Sequence, residues 1–442
     1  MPSPRKVVLL GAGGRDFHNF NVFFRDNEEY RVVAIVQTQI PGLRARRYPP
    51  ELAGRLYPEG VPVLPMSELR RIVAEEGVDE VVLSYSDLTG QEVLEALSEV
   101  LASGASFRIL GPRDTMLRSA RPVIAVTGVK TGVGKSTVSR EVALELKGRG
   151  LRVGVVRHPM VYGGLDHPVQ RFNTFEDLDK YGVTVEEREE YEPYIRMGFT
   201  VYAGIDYGRL LRIVEGESDV ILWDGGNNDW PFFRPDFMLV VADAMRPGLE
   251  VGAFPGLVNL KMGDAVIINK ADQAPPGGVE KIKENVRRHN PRASISVALS
   301  EVVVDRPELL EGRRALVIED SPTVTHGMAR YGAGYVAARK YGAEVVDPRP
   351  HATGFFRKIY DEYPHIGPVL PSTGYTKEQL EELAEIVRRV PADVVVLGTP
   401  SDLTKFIDFG KPAVRVAYRI KIVEGPTIGE LVGQFLSRVQ AS

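Results

Sequence analysis

Residues 122 to 147 leave this chain the least freedom. An apolar run, Pro122 to Val126, enters a turn holding Gly128, Gly132 and Gly134, and a helical stretch, Ser136 to Lys147, leaves it and stops at Gly148 and Gly150. A strand that passes through glycines into a helix opens a βα unit, and such units bury their apolar faces by stacking on a parallel sheet. The alternation recurs along the chain. Strands are expected at Lys6 to Leu10, Arg31 to Val36, Glu80 to Ser84, Phe107 to Leu110, Arg152 to Val156, Val220 to Trp223, Met238 to Val241, Ala265 to Ile268, Ala315 to Ile318, Val394 to Leu397 and Val414 to Tyr418. Helices are expected at Ser67 to Glu76 and Gln91 to Ala102, and the fold class is α/β.

With 442 residues the chain is long enough for roughly two to four domains of ~100 to 200 residues. A fresh strand after residue 118 and another after 313 divide it into 1–118, 119–313 and 314–442, with an insertion at 158–206 too long for a plain connection. A net charge of -4, from 55 basic and 59 acidic side chains, gives no bulk field for nucleic acid or a membrane surface. The absence of cysteine removes disulfides, thiolate metal sites and a cysteine nucleophile, and suits a cytoplasmic protein. "MPSPRKVVLLGAGG" reads as a strand entering a turn, not as a leader or a membrane span. Arg- and Glu-rich helices with 31 prolines lean towards a thermophile.

Aligned on its end, the turn reads Lys130-Thr131-Gly132-Val133-Gly134-Lys135-Ser136, followed by Thr137. It resembles the deviant Walker A loop, K-G-G-x-G-K-[ST], of the SIMIBI class of P-loop proteins, the relatives of ParA, MinD and dethiobiotin synthetase. Gly132 and Gly134 let successive backbone N–H groups wrap phosphate oxygens, the following helix aims its positive end at them, and Lys135 adds a point charge. Ser136 is the expected Mg²⁺ ligand. Lys130 stands at the signature lysine, which the resemblance implies can reach phosphates across a homodimer interface, although Thr131 replaces the usual glycine.

Two later segments have the order expected downstream of such a loop. "SDVILWDGGNND" is an apolar strand ending in Asp224, where a carboxylate meets the Mg²⁺ shell, followed by a polar loop of Gly225, Gly226, Asn227, Asn228 and Asp229. "VIINKAD" carries Asn269-Lys270-Ala271-Asp272, which matches the N-K-x-D base motif of GTPases. A carboxylate at 272 can accept from guanine N1–H and N2–H together. The nucleotide is therefore ATP or GTP.

The acceptor side is read from the insertion and the first loop. Arg157, His158 and Arg171 are candidates to bind a small anionic phosphorylated substrate, because guanidinium pairs bidentately with phosphate. Tyr162, Gly163 and Gly164 lie between them, and the acidic run Glu186 to Glu192 reads as a solvated helix face. Gly11-Ala12-Gly13-Gly14-Arg15-Asp16 follows a strand as a dinucleotide loop would, but Asp16 replaces the third glycine and the second strand ends without an acidic residue. Arg15, His18, Asn19 and Asn21 are instead read as meeting either a phosphorylated substrate, with Arg15 and His18 as its contacts, or the adjoining domain. Thr325-His326-Gly327 and "DPRP" at 347–350 are further candidate loops.

Together "GGRDFHNFN", "VRHPMVYGG", "VQRFNTFEDLD", "EEREEYEPYI", "VILWDGGNNDWPFFRPD", "VIINKAD", "TVTHGMARYGAG" and "VVVLGTPSDL" resemble the cyclic 2,3-diphosphoglycerate synthetase-like family, over residues 6 to about 420. The resemblance implies a central P-loop doubly wound sheet with an N-terminal Rossmann-like domain and a C-terminal α/β part. It also implies an NTP-dependent ligase that closes a phosphoanhydride, with Lys130, Lys135, Asp224, Arg157 and His158 as the catalytic set. A regulatory GTPase with nucleotide-dependent dimerisation is the alternative from another class.

Overall fold

A computed structural model describes residues 3–11, 13–37, 47–158, 165, 167–325, 329–372, 376–399, 402–405 and 407–441, with backbone alone at 185, 186, 189, 227, 322 and 377. The expected roles of Ala12, Tyr162, Gly163, Gly164, His326 and Gly327 fall outside the described residues.

The chain forms two compact units, residues 1–299 with 420–442, and residues 300–419. The first holds two large sheets and a two-stranded one, Leu88–Thr89 with Ala253–Phe254. One has the order Arg47–Tyr48, Val61–Pro65, Tyr30–Gln37, Arg5–Gly11, Glu80–Ser84, Ser106–Arg108, parallel except at its first pair. Its centre is apolar on both faces: Val7 and Leu9 pack on Phe17, Phe20 and Phe24, while Val8 and Leu10 pack on Leu69, Ile72 and Val100 from two helices. Two-sided burial is what a parallel sheet wound by crossovers requires.

The second sheet of this unit runs Val169–Phe172, Thr200–Gly204, Val153–Arg157, Val220–Asp224, Val123–Gly128, Phe237–Asp243, Ala265–Asn269, Ser294–Val304. These strands are parallel except Val169–Phe172, which runs antiparallel at the edge. The insertion is thus built, not loose: it adds two strands to the sheet and the helices Phe175–Lys180 and Val185–Arg196. The helix Lys135–Gly148 buries Val138, Val142, Ala143 and Leu146 in the same core as Leu431, Val432 and Phe435 of the last helix, Ile428–Gln440. Each buried Val, Leu or Phe side chain here contributes ~1.5–3 kcal/mol on leaving water.

This packing explains why the units differ from the expected divisions. The chain leaves the first unit at 300 rather than 313, and its last helix returns to cover Lys135–Gly148. Residues on either side of 118 share one unit because Trp230 and Phe232 pack on Arg15 and His18.

The second unit has its own parallel sheet, in which Arg314–Glu319 lies between Val394–Gly398 on one side and Glu344–Val345 and Leu370–Pro371 on the other, with Ala413–Glu424 beyond Val394–Gly398. Its core is centred on Leu316, Val317, Ile318, Val395, Val396 and Phe356. Among the described residues no helix is long and apolar enough to cross a membrane.

Candidate functional site

The strand Val123–Gly128 is flanked by Val220–Asp224, with Asp224 in register with Val126, and by Phe237–Asp243. The glycine turn therefore opens at the carboxyl ends of central strands, where open parallel sheets place their ligands. Gly132 and Gly134 adopt φ of +83° and +100°, and a Cβ at Gly134 would lie 2.2 Å from Asn269 Nδ2. No side chain among the described residues caps the start of Lys135–Gly148, so its first amides face the turn as an anion site would have them.

Among the described residues three non-glycine residues have positive φ: Asp87 at 64°, Asn228 at 54° and Lys270 at 59°. All three touch this turn. Asp87 Oδ1 accepts from Thr131 N at 3.0 Å and lies 3.4 Å from Lys130 Nζ, which also donates to the Asp87 carbonyl. Asn228 Nδ2 donates to Asp87 Oδ1 at 2.6 Å and to Thr131 Oγ1 at 3.0 Å, and Asn228 Oδ1 accepts from Lys135 Nζ at 2.6 Å. Lys270 Nζ donates to Gly132 O at 2.6 Å. Left-handed backbone at residues with a side chain persists only where surroundings over-determine it, and it concentrates at ligand clamps.

Burial holds the Lys135 ammonium below its ordinary pKa, although Asp224 and Glu190 draw it back up. Its hydrogen-bond partner is a neutral amide, so its charge is not cancelled at contact distance. Lys130 is engaged by Asp87 of its own chain.

Asp224 stands where expected, at the end of its strand and fully buried, but both of its oxygens are occupied. Ser139 donates to Oδ1 at 2.8 Å, Tyr194 donates to Oδ2 at 2.7 Å, and Arg157 Nη1 also bonds Oδ2. Burial works to raise this carboxyl's pKa, yet Arg157 and then Tyr194 and Ser139 hold it below the usual range. Arg157 continues to Glu190 at 2.6 Å on the helix Val185–Arg196. Asp224 is thus tied to Ser139, Tyr194 and Arg157, and Arg157 lies between the carboxylates of Asp224 and Glu190. Ser136 lies in the first turn of the phosphate-facing helix. Thr137 accepts from Arg140 at 3.3 Å, and Val133 is buried with its carbonyl taken by Asn269.

The acidic run also departs from expectation: Glu187 and Glu192 are buried, as are Tyr191 and Tyr194, because this helix covers the end of the sheet. Ser139, Tyr194, Glu190 and Asp87 carried no signal in the local sequence.

Asn269-Lys270-Ala271-Asp272 lies against the phosphate turn. Asn269 Nδ2 donates to Val133 O at 3.0 Å, Lys270 crosses to Gly132 and Asp243, and Asp272 is exposed in the following short turn. Asn269 and Lys270 thus brace the loop.

Arg15 and His18 of the first loop meet Thr115 and the segment 229–232. Arg15 is buried in an ion pair with Asp229 Oδ1 at 2.7 Å, donates to Trp230 O at 2.7 Å and lies over the Trp230 ring. His158 shares Asp229, Nε2 to Oδ2 at 3.2 Å. Burial and then Arg15 push the His18 pKa down to about 3, so the ring is neutral, stacked on Phe232 and bonded to Thr115 O at 2.6 Å. Asp16 fills the glycine turn itself, accepting from Gly13 N at 3.2 Å and Gly14 N at 2.6 Å. The loop that resembled a dinucleotide fingerprint carries its own anion. Arg171 lies on the edge strand Val169–Phe172 and pairs with Glu217 at 2.8 Å, with three strands between it and Val123–Gly128.

In the second unit Thr325 bonds Ser321 O at 2.8 Å, and Asp347 pairs with Arg349 at 2.6 Å within "DPRP". Among the described residues no group of three or more His, Asp or Glu is placed to hold a metal ion.

A relative from Thermococcus kodakarensis, the arginine synthetase ArcE, is 52% identical over 433 residues, 98% of this chain and 97% of its own. The chain belongs to the ArcE family. That family is the cyclic 2,3-diphosphoglycerate synthetase-like one: the synthetase of that name from Thermococcus gammatolerans is 27% identical over 65% of the ArcE-family chain and 69% of its own, and that of Rubrobacter xylanophilus 26% over 64% and 69%. ArcE and these synthetases make the chain a P-loop, NTP-dependent ligase. No protein-family model matches it. Among solved structures, LpxK of Aquifex aeolicus in complex with ATP aligns at a TM-score of 0.43 and 13% identity, over 78% of this chain and 95% of that one, a likeness too slight to carry an argument.

Proposed function

We propose that the protein is an arginine-forming ligase: it transfers the γ-phosphoryl group of ATP or GTP to the ureido oxygen of citrulline, and ammonia then displaces phosphate. Arginine differs from citrulline by nitrogen in place of that oxygen. Phosphorylation turns a poor leaving group into phosphate, so NTP, citrulline and ammonia give NDP, phosphate and arginine. Such transfer needs positioning and charge neutralisation more than covalent help from the protein.

The observation that carries the reading is the half-buried Lys135 ammonium, set in a glycine turn at a helix start and bonded, among the described residues, to a neutral amide oxygen at 2.6 Å. Ser136, in the same first turn, is the residue we assign to a Mg²⁺ carried in with the nucleotide. Two facts favour arginine over a doubly phosphorylated substrate. The basic side chains that a bisphosphate would need, Arg15, Arg157 and Arg171, are all paired with carboxylates. The relative that matches along the whole chain is named for arginine.

The test is phosphate release from ATP and from GTP with citrulline and ammonia, with each alone, and with 2,3-diphosphoglycerate. Release that needs citrulline and ammonia together, with arginine formed in equal amount, supports the reading. Release driven by 2,3-diphosphoglycerate and indifferent to citrulline overturns it in favour of the cyclising activity.

A further inference from the structure

We infer that Asp87 determines how the phosphate turn distinguishes a triphosphate from a diphosphate, by holding Lys130 and the Thr131 amide until a γ-phosphate takes them. The inference rests on reading 128–137 as a triphosphate site.

Asp87 comes from the N-terminal sheet, just after Glu80–Ser84, and its place is set by its neighbours. Leu88–Thr89 pairs antiparallel with Ala253–Phe254, and Thr89 then starts the helix Gly90–Ala102 with a capping box to Glu92. Immediately before these anchors Asp87 is turned to φ 64°, and its carboxylate meets the turn. That carboxylate is an anion bound to the loop: one oxygen takes the Thr131 N–H, lies 3.4 Å from the Lys130 ammonium and receives Asn228 Nδ2. The other face of the Asn228 amide holds Lys135.

A diphosphate reaching the amides of Gly132 to Ser136 and Lys135 leaves Asp87 on Lys130. A γ-phosphate, with its own two charges, competes for Lys130 and the Thr131 N–H directly. Charge-assisted bonds to phosphate are strong enough to win that exchange, and the carboxylate's loss of partners lowers the net gain. Asp87 is a positioning residue: it acts through Lys130 and Asn228.

The test is calorimetric titration of the full chain with the β,γ-imido analogue of ATP and with ADP, repeated with the guanine pair. Asp87→Asn keeps a residue that tolerates left-handed backbone but removes the charge. It should tighten the imido triphosphate about fivefold and leave the diphosphate within about twofold, on the scale of a part-exposed ion pair. Asp87→Gly, which relieves the backbone, should do the same. In a Lys130→Met background the Asp87→Asn effect should shrink, which a merely structural role would not produce. An equal shift for both nucleotides, or an undiminished effect without Lys130, overturns the assignment of Asp87 alone. Absence of binding of either nucleotide to the wild type overturns the reading of the loop, and this inference with it.

Discussion

The ammonium of Lys135 lies 2.6 Å from the amide oxygen of Asn228. A phosphate oxygen can replace that neutral partner at little electrostatic cost, whereas a carboxylate there would compete with the nucleotide. Lys135→Ala should therefore lower NTP turnover at least ~10²-fold by removing charge that the transition state needs, while circular dichroism stays that of the wild type. Turnover within a few-fold of wild type would remove Lys135 from the reaction.

Asn228→Asp is the sharper companion. Aspartate accepts the left-handed φ of 54° as asparagine does, so the backbone is preserved while a charge appears beside Lys135. Affinity for the triphosphate should fall about tenfold or more, the scale of a charged hydrogen bond, read by titration calorimetry. An unchanged dissociation constant would mean that the Asn228 site and the nucleotide do not compete.

The pair Arg157 and Asp224 is buried, with Glu190 as a third member. Asp224→Asn leaves Arg157 with one partner in a dry setting, and breaking a buried pair from one side costs about 3–5 kcal/mol. Denaturant midpoints should show that loss. A stability change under about 1 kcal/mol would argue that the pair is solvated in solution.

Asn269 and Asp272 should separate by nucleotide. Asn269 braces Val133 O at 3.0 Å, so Asn269→Ala should weaken ATP and GTP alike. Asp272→Asn should weaken GTP more than ATP, because only guanine presents the paired donors. Equal losses at both positions would deny Asp272 a part in reading the base.

Glu319 gives a pH dependence in the second unit. It is fully buried at the end of Arg314–Glu319 and accepts from Gly332 N, Gly334 N and Tyr335 N at 2.9, 3.1 and 2.7 Å. Burial, against those bonds, pushes its pKa up to about 7. Folding then takes up a proton between the ordinary carboxylate value and about 7, so the contribution to stability is complete at low pH and fades as pH rises through that window. Relative to Glu319→Gln, wild-type stability should drop by about 3 kcal/mol from pH 4.5 to 7.5. Parallel pH profiles of the two proteins would refute the shift.

Much of this was legible in the chain itself. Runs such as "VIAVTG", "VILWD" and "AVIIN" lie in fully buried parallel strands, and an apolar run closed by a turn signal reports that burial locally. The glycine turn was readable because left-handed backbone at fixed spacing calls for glycine, as at Gly132 and Gly134. The partners of Asp224 were not: Tyr194 and Arg157 approach from 30 and 67 residues away, and an acidic helix that covers a sheet end has the composition of a solvated one. Asp87 was hidden for another reason. Aspartate before a helix-capping threonine is ordinary turn sequence, and only its position 44 residues before Thr131 in the chain, yet 3.0 Å away in space, marks it.

The most direct test of the account is a crystal structure with the β,γ-imido analogue of ATP bound. The phosphate tail should lie within hydrogen-bond distance of the backbone N–H groups of Gly132 to Ser136 and of Lys135 Nζ, with Asn228 Oδ1 displaced from that ammonium. A structure with the nucleotide bound elsewhere and the 2.6 Å contact between Lys135 and Asn228 intact would contradict it.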